Sequence, residues 1–238
     1  MTEKPPTLSV IMPAYNEEGA IEAAVAEVRE WVLDRIAGAE LIVVDDGSRD
    51  RTGAILDSVS ASDPRVRVIH RTNGGHGPAL RTGLEAARGE HLFLMDSDAQ
   101  IPLSAFAPLW DAVGRGSDAA FGVRARRQDP VLRLLLTRFI RRTLPLLFGV
   151  GLADANVPFK LMRRRLWEDA RSLIPEDTLA PSLFLAVFAA ARGYNVAELA
   201  VPHRERQTGV VSIRRWRLVK FCARAFRQLV VFRRRMRN

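Results

Sequence analysis

Leu92-Phe93-Leu94-Met95-Asp96-Ser97-Asp98-Ala99-Gln100 sets four apolar residues in a row against two carboxylates one residue apart. The apolar run reads as a strand buried on both faces. Along an extended chain, residues i and i+2 point the same way, about 7 Å apart. Two acids aimed together from the end of a buried strand repel each other unless a cation sits between them. In an open α/β sheet the carboxyl end of the strands is where ligands bind. A hard divalent ion that also holds a phosphate is the natural occupant. Read on these nine residues alone, a strand-ending turn is the plainer alternative, because Asp and Ser are ordinary turn residues.

Outward from this stretch the chain alternates. Leu8 to Met12 is a short apolar run that Pro13 is expected to stop, and Glu18 to Arg35 carries Ile21, Val25, Val28 and Val32 at helical spacing. Leu41 to Val44 reads as a second buried strand, running into Asp45-Asp46-Gly47-Ser48, and Val66 to Ile69 as a third. Asn73 to Pro78 is a glycine-rich loop leading into a helix from about Ala79 to Arg88. After the fourth strand come a helix over Ala105 to Val113 and a fifth strand over Ala119 to Val123. This order predicts an α/β fold with a mostly parallel central sheet flanked by helices. Beyond residue 123 the pattern becomes helical. An apolar stripe from Leu132 to Leu147 is flanked by arginines, and Pro145 is expected to kink or end it. A helix near 178–192 is apolar nearly all round, and one near 213–235 carries Leu218, Phe221, Cys222, Ala225, Leu229 and Phe232 on one face.

A chain of 238 residues, 47% apolar, fits one large domain or one domain with an appendage. A single cysteine, Cys222, excludes an internal disulfide and points to a reducing compartment. The start MTEKPPTLSV has no apolar signal core. The longest uncharged apolar stretch, Thr178 to Ala191, has 14 residues and is too short to span a bilayer. The net charge of +9 is concentrated at one end. From His203 onward eleven arginines and Lys220 face Glu205 alone, a net of +11, which leaves residues 1–202 at −2. Such a tail seeks an anionic surface, lipid headgroups or nucleic acid.

In the expected sheet three strands deliver acids to one edge: Glu17, then Asp45 and Asp46, then Asp96 and Asp98. One acidic loop is commonplace as a helix cap, a role Ser48 or Asp50 could fill; three at one edge call for a ligand. Carboxylates accept hydrogen bonds from ribose hydroxyls and base N–H groups and can ligate a metal. A nucleoside diphosphate with its divalent ion meets all of these demands. Other phosphate signatures fail: there is no G-x-x-x-x-G-K-[ST] loop, and Leu80 stands where the dinucleotide fingerprint wants a small residue. His76 and His91 have no partner at metal-ligand spacing and read as a surface residue and a strand residue.

Together, Pro13-Ala14-Tyr15-Asn16-Glu17, Val43-Val44-Asp45-Asp46-Gly47-Ser48, the Asn73–Gly77 loop with Gly83, and Asp96-Ser97-Asp98-Ala99-Gln100 resemble the family 2 glycosyltransferases. Gly122-Val123-Arg124, Asp154 with Pro158-Phe159-Lys160-Leu161, and Arg206 with Gly209 are similar to its polyprenyl-phosphate branch, which includes dolichyl-phosphate mannose synthase. The resemblance implies a GT-A type nucleotide-diphospho-sugar transferase fold over residues 1–212, with 213–238 as a basic amphipathic helix that associates with a membrane. It implies that Pro13, Tyr15, Glu17, Val44 and Asp46 hold the nucleoside and that Asp96 and Ser97 belong to the diphosphate site. Asp96, Asp98 and Gln100 match the metal positions, with Mg²⁺ or Mn²⁺ as the ion, and Arg124 and Arg206 match basic residues that meet phosphates. Asp154 is expected to shape a loop. Two departures stand out. Ser97 replaces the family's frequent alanine, and Ser212 falls where the family has a basic residue, leaving Arg214 or Arg215 as substitutes.

The reaction implied passes a hexose from GDP-mannose or UDP-glucose to a polyprenyl phosphate, with inversion at the anomeric carbon. The attacking oxygen is already an anion near neutral pH, so no strong base is required; the work is neutralising two phosphate groups, with Asp98, Arg124 and Arg206 as the catalytic set. Helices with apolar stripes and arginine flanks fit a membrane interface, which places the chain peripherally on a cytoplasmic membrane face, where a separate membrane-spanning partner could present the lipid. Packing of both stripes on the body is the plainer reading of the helices. Nucleic acid is set aside as the partner, because no basic–aromatic platform accompanies the charge. Two rivals stay open: the same enzyme class with a non-lipid acceptor, and a basic nucleotide-holding module that grips a polyanion without catalysis.

Overall fold

A seven-stranded sheet carries the molecule: β1 (Leu8–Ala14), β2 (Ala39–Asp45), β3 (Val66–His70), β4 (His91–Leu94), β5 (Ala119–Arg124), β6 (Lys160–Arg163) and β7 (Val196–Val201), in the order β3-β2-β1-β4-β6-β5-β7. All neighbours are parallel except β6, which runs antiparallel to both β4 and β5. The computed structural model describes residues 6–124, 142–178, 180–203 and 215–237. The helices are α1 (Ile21–Val28, continued by a π-turn over Arg29–Leu33), α2 (Thr52–Ser62), α3 (His76–Ala86), α4 (Phe106–Gly114), α5 (142–148), α6 (Arg164–Ala170), α7 (Pro181–Ala191) and α8 (Arg215–Arg237).

Alternating residues of each central strand feed two separate apolar layers. Val10, Met12, Val43 and Phe93 pack with α1, α2 and α4, whereas Ile11, Val44, Leu92 and Leu94 pack with α3, α6, α7 and the end of α8. Leu92, Phe93 and Leu94 are fully buried, each worth about 2 kcal/mol of transfer free energy. Phe93 sits edge-on against Phe106 at 4.8 Å and Phe159 at 4.9 Å. Helix α3 lies tight on the sheet: a Cβ on Gly83 would come within 2.4 Å of Ile11 Cγ2.

From β1 the chain steps outward to β2 and β3, then crosses to place β4 on the other flank of β1. The crevice at the carboxyl ends of β1 and β4 is thus the switch point of the sheet, the place where α/β sheets bind ligands.

Several local expectations shift. Pro13 does not stop β1, which runs on to Ala14. Ala14 O accepts from Asp46 N on the β2 side and Ile11 O accepts from Met95 N on the β4 side. Pro13 therefore turns its missing N–H toward β4, whose pairing has ended at Leu94. Helix α1 starts at Ile21 rather than Glu18, because Glu18 is tied to the next loop: its N–H donates to Asp50 and its carboxylate accepts from Arg51 N. Helix α3 begins earlier than expected, at His76, with Pro78 in its first turn, where a missing N–H costs nothing. Residues 142–148 are helical through Pro145, which does not end them; positions 131–141 of that stripe lie outside the described residues. Strands β6 and β7 and helix α6 had no counterpart in the sequence reading.

The second half of α8 is docked on the body. Leu229 and Phe232 are buried, Phe232 stands edge-on to Phe184 at 5.0 Å, and Arg224 pairs with Asp177 at 2.8 Å. The side chains of Leu218, Phe221 and Cys222 lie outside the described ones. Among the described residues no helix is long and apolar enough to cross a membrane.

Candidate active site

Three loops meet at the switch point, and Asp46 ties two of them together. Its Oδ1 accepts from the Gly74 amide and from Arg71 Nη1, both at 3.0 Å, and its Oδ2 from the Gly75 amide at 2.7 Å. Gly75 takes φ +92°, which a side chain would resist, and this turn launches α3 from His76. Asp45 points the other way. Its oxygens accept from Ser48 N at 3.0 Å and contact His70 Nδ1 at 2.9 Å, while His70 Nε2 reaches Asp57 at 3.0 Å. Burial works against the Asp45 carboxylate, but the hydrogen bonds from Ser48 and His70 outweigh it and hold its pKa below the ordinary value. The hydrogen bond to Asp45, backed by Asp57, raises the pKa of His70.

On the other flank of β1, His76 Nε2 donates to Asp96 Oδ1 at 2.8 Å, and the Gln100 amide donates to Asp98 Oδ1 at 3.2 Å. Between them Ala99 holds φ +52°, an unusual conformation for a residue with a Cβ. Burial opposes a charge on His76, yet the Asp96, Asp98 and Asp46 carboxylates prevail and raise its pKa.

Two adjoining cavities share these acids. The larger, about 410 Å³, is lined by Pro13, Tyr15, Glu17, Asp46, Asp96, Ser97 and Asp98, with Asn73, Gly75 and His76. The smaller is lined by Asp96, Asp98, Gln100, Arg124, Phe159 and His203. Seven of the site residues named from sequence therefore converge on these two cavities in addition to Gln100 and Arg124. Val44 does not: its side chain is fully buried, packed close to Gly83 of α3. Arg206 lies outside the described residues.

Arg124 makes a bidentate pair with Asp154, Nε to Oδ2 at 2.8 Å and Nη2 to Oδ1 at 3.1 Å. Asp154 thus aims the arginine. Nearby Lys160 is fully buried, donates to the Val157 carbonyl and lies over the Phe121 ring. Burial pushes its ammonium pKa down to about 7. Sequence reasoning missed three participants: His76, His203 and the buried state of Lys160. The Gly74-Gly75 pair ahead of His76 was the available signal for the first; nothing local marked the others.

Asp96, Asp98 and Gln100 offer hard oxygen donors of the kind Mg²⁺ and Mn²⁺ prefer. Among the described residues no three His, Cys, Asp or Glu side chains cluster to hold a metal by themselves. The two carboxylates and the amide thus supply part of a hard-ion shell and leave further positions for other oxygens.

Residues 9–170 match the profile of glycosyl transferase family 2. The chain belongs to this family. A polyprenol monophosphomannose synthase from Mycolicibacterium smegmatis is 32% identical over 212 residues, 84% of this chain and 78% of that one. An undecaprenyl-phosphate 4-deoxy-4-formamido-L-arabinose transferase from Pseudomonas aeruginosa is 29% identical over 206 residues, 85% of this chain. The alignment spans only 59% of that relative's length. Among solved structures, the glucosyl-3-phosphoglycerate synthase of Mycobacterium tuberculosis, crystallised with Mn²⁺, UDP and phosphoglyceric acid, superposes with a TM-score of 0.70 at 22% identity, covering 96% of this chain and 78% of that one. At that identity the likeness speaks for the fold alone. The family 2 chain has the GT-A type α/β fold expected from its sequence, a mostly parallel sheet flanked by helices.

Proposed function

We propose that this family 2 chain is an inverting glycosyltransferase that moves a hexose from a nucleotide-diphospho-sugar, GDP-mannose or UDP-glucose, to a polyprenyl phosphate. The observation that carries the reading is the sharing of Asp96 and Asp98 by two adjoining cavities, one walled by nucleoside-type groups and the other by Arg124. A donor in the first and an acceptor phosphate in the second meet at those two acids. The polyprenyl-phosphate relatives support the acceptor class.

In this reading Pro13, Tyr15, Glu17 and Asp46 take the nucleoside, and Asp96 and Ser97 lie along the diphosphate. Asp96, Asp98 and Gln100 would hold Mg²⁺ or Mn²⁺, which when bound neutralises the diphosphate as it leaves. Arg124, steadied by Asp154, draws the acceptor phosphate in, and Arg206 joins it on the sequence alone. The acceptor oxygen attacks the anomeric carbon, the carbon–oxygen bond to the diphosphate breaks, and the nucleoside diphosphate departs with the configuration inverted. The acceptor oxygen carries its own charge, so the site has no proton to remove.

The proposal puts the chain peripherally on the cytoplasmic face of a membrane, with residues 1–212 as the catalytic unit and 213–238 as the basic membrane-associating helix. Because Leu229 and Phe232 are already buried in the body, the membrane contact falls to the earlier part of that helix. A separate membrane-spanning partner that presents the lipid is part of the reading.

The test is incubation with labelled GDP-mannose or UDP-glucose, Mn²⁺ and polyprenyl phosphate, followed by extraction into organic solvent. Label entering the lipid phase, and lost in Asp98→Ala, is the expected result. Transfer only to a soluble phosphate acceptor, or no turnover with any donor, overturns it.

A further inference from the structure

We infer that the imidazole of His76 is a ligand of the donor's diphosphate, a role that rests on the donor reading of the larger cavity. That cavity presents Glu17, Asp96 and Asp98 beside Asp46, whose charge Arg71 already meets at 3.0 Å, and among its described lining residues His76 is the one side chain able to carry positive charge. A diphosphate brings further negative charge into the same space. One divalent ion, were Asp96 and Asp98 to hold it, would not balance these charges together with a diphosphate, and a further N–H donor or cation is needed.

His76 is built to supply it. Asp46 pins the Gly74 and Gly75 amides, and the turn at Gly75 fixes where α3 starts. The ring is carried on this pinned turn, not on a free loop, and it remains 46% exposed. Its Nε2 proton points at Asp96 Oδ1, 2.8 Å away, an oxygen in the set that receives the metal and diphosphate. When the donor enters, the N–H can pass from the carboxylate to a phosphate oxygen. One hydrogen bond is exchanged for another, and Asp96 is released toward the cation. The contact requires only a proton on Nε2, which both the imidazolium and one neutral tautomer carry.

The experiment is titration calorimetry of UDP and GDP in excess Mn²⁺, with uridine and guanosine followed by saturation-transfer NMR. The proteins are the full chain, His76→Ala and His76→Gln. The glutamine amide offers an N–H at nearly the reach of Nε2. Expected are a loss of about tenfold in diphosphate affinity for His76→Ala, an unchanged nucleoside signal, and His76→Gln within about threefold of the parent chain. Equal affinity of the parent chain and His76→Ala for the diphosphate overturns the inference. So does a parallel loss of nucleoside and diphosphate, the mark of a residue that only shapes the pocket. If the parent chain binds neither nucleotide, the donor reading itself has failed and the inference goes with it.

Discussion

Asp45-Asp46 and Asp96-Ser97-Asp98 sit at the ends of the two strands that flank β1, and they do opposite work. The first pair is held chiefly by the protein: its side chains are 7% and 4% exposed, and they grip Ser48, His70, Arg71, Gly74 and Gly75, although Asp46 also borders the larger cavity. The second pair faces outward. Asp96 is 35% exposed, and both acids line the two cavities. Spacing accounts for the difference. Adjacent residues in extended chain point to opposite sides, so Asp45 and Asp46 each found a separate set of partners. Asp96 and Asp98 lie past the end of β4, in the bend before the left-handed Ala99, and both were left lining the same space. One pair builds the rim and the other waits on a ligand.

The sharpest way to break this contrast is Asp98→Asn. Sugar transfer should fall by about 10³-fold while the thermal unfolding midpoint stays where it was; a large drop in the midpoint would make Asp98 a builder after all. Asp46→Asn, unlike Asp98→Asn, should lower stability in addition to weakening binding of the donor's nucleoside. Weakening three charge-assisted hydrogen bonds is expected to cost about 2–3 kcal/mol, lowering the midpoint by roughly 5–10 °C by differential scanning fluorimetry.

A smaller effect tests the wiring of Asp45 to His70. The raised His70 pKa means its contribution is complete below the ordinary histidine value and fades as pH climbs through the folded one. The lowered Asp45 pKa means its contribution holds above the ordinary carboxylate value and fades as pH drops through the folded one. His70 is half exposed, so less than about 1 kcal/mol is at stake. Urea titrations from pH 5 to 9 should show the parent chain losing that increment on the alkaline side, and His70→Gln should lack this loss. Least of all, Ala99→Gly relieves a left-handed alanine between Asp98 and Gln100. It should raise the midpoint by about 1–2 °C, and a fall instead would mean that the side chain is needed where it is.

The strands that form the switch point were legible because β1, β2 and β4 carry apolar cores, Val10 to Met12, Leu41 to Val44 and Leu92 to Leu94, with acids at or shortly after their ends. β6 was not, because Lys160 opens it and Arg163 closes it, leaving two apolar residues as signal. Nothing in local periodicity says that such a fragment will insert antiparallel between β4 and β5. The Arg124–Asp154 pair joins residues thirty positions apart, a closeness only the folded sheet creates. His76 read as an ordinary surface residue because its partner, Asp96, lies across the crevice on another strand's loop. Asp46 illustrates the complementary case: its position at the rim was correctly placed, but its hold on two glycine amides depends on how the 73–75 loop folds back.

Pro13 has a consequence for access. In a parallel ladder the next rung between β1 and β4 would run from the nitrogen of residue 13 to the carbonyl of Met95, and proline has no hydrogen to offer there. The ladder between the two strands ends there, after the Met95 amide has reached Ile11 O, like a zipper whose teeth stop short. The rung that would have closed the crevice beside Asp96 is absent because the backbone lacks one hydrogen.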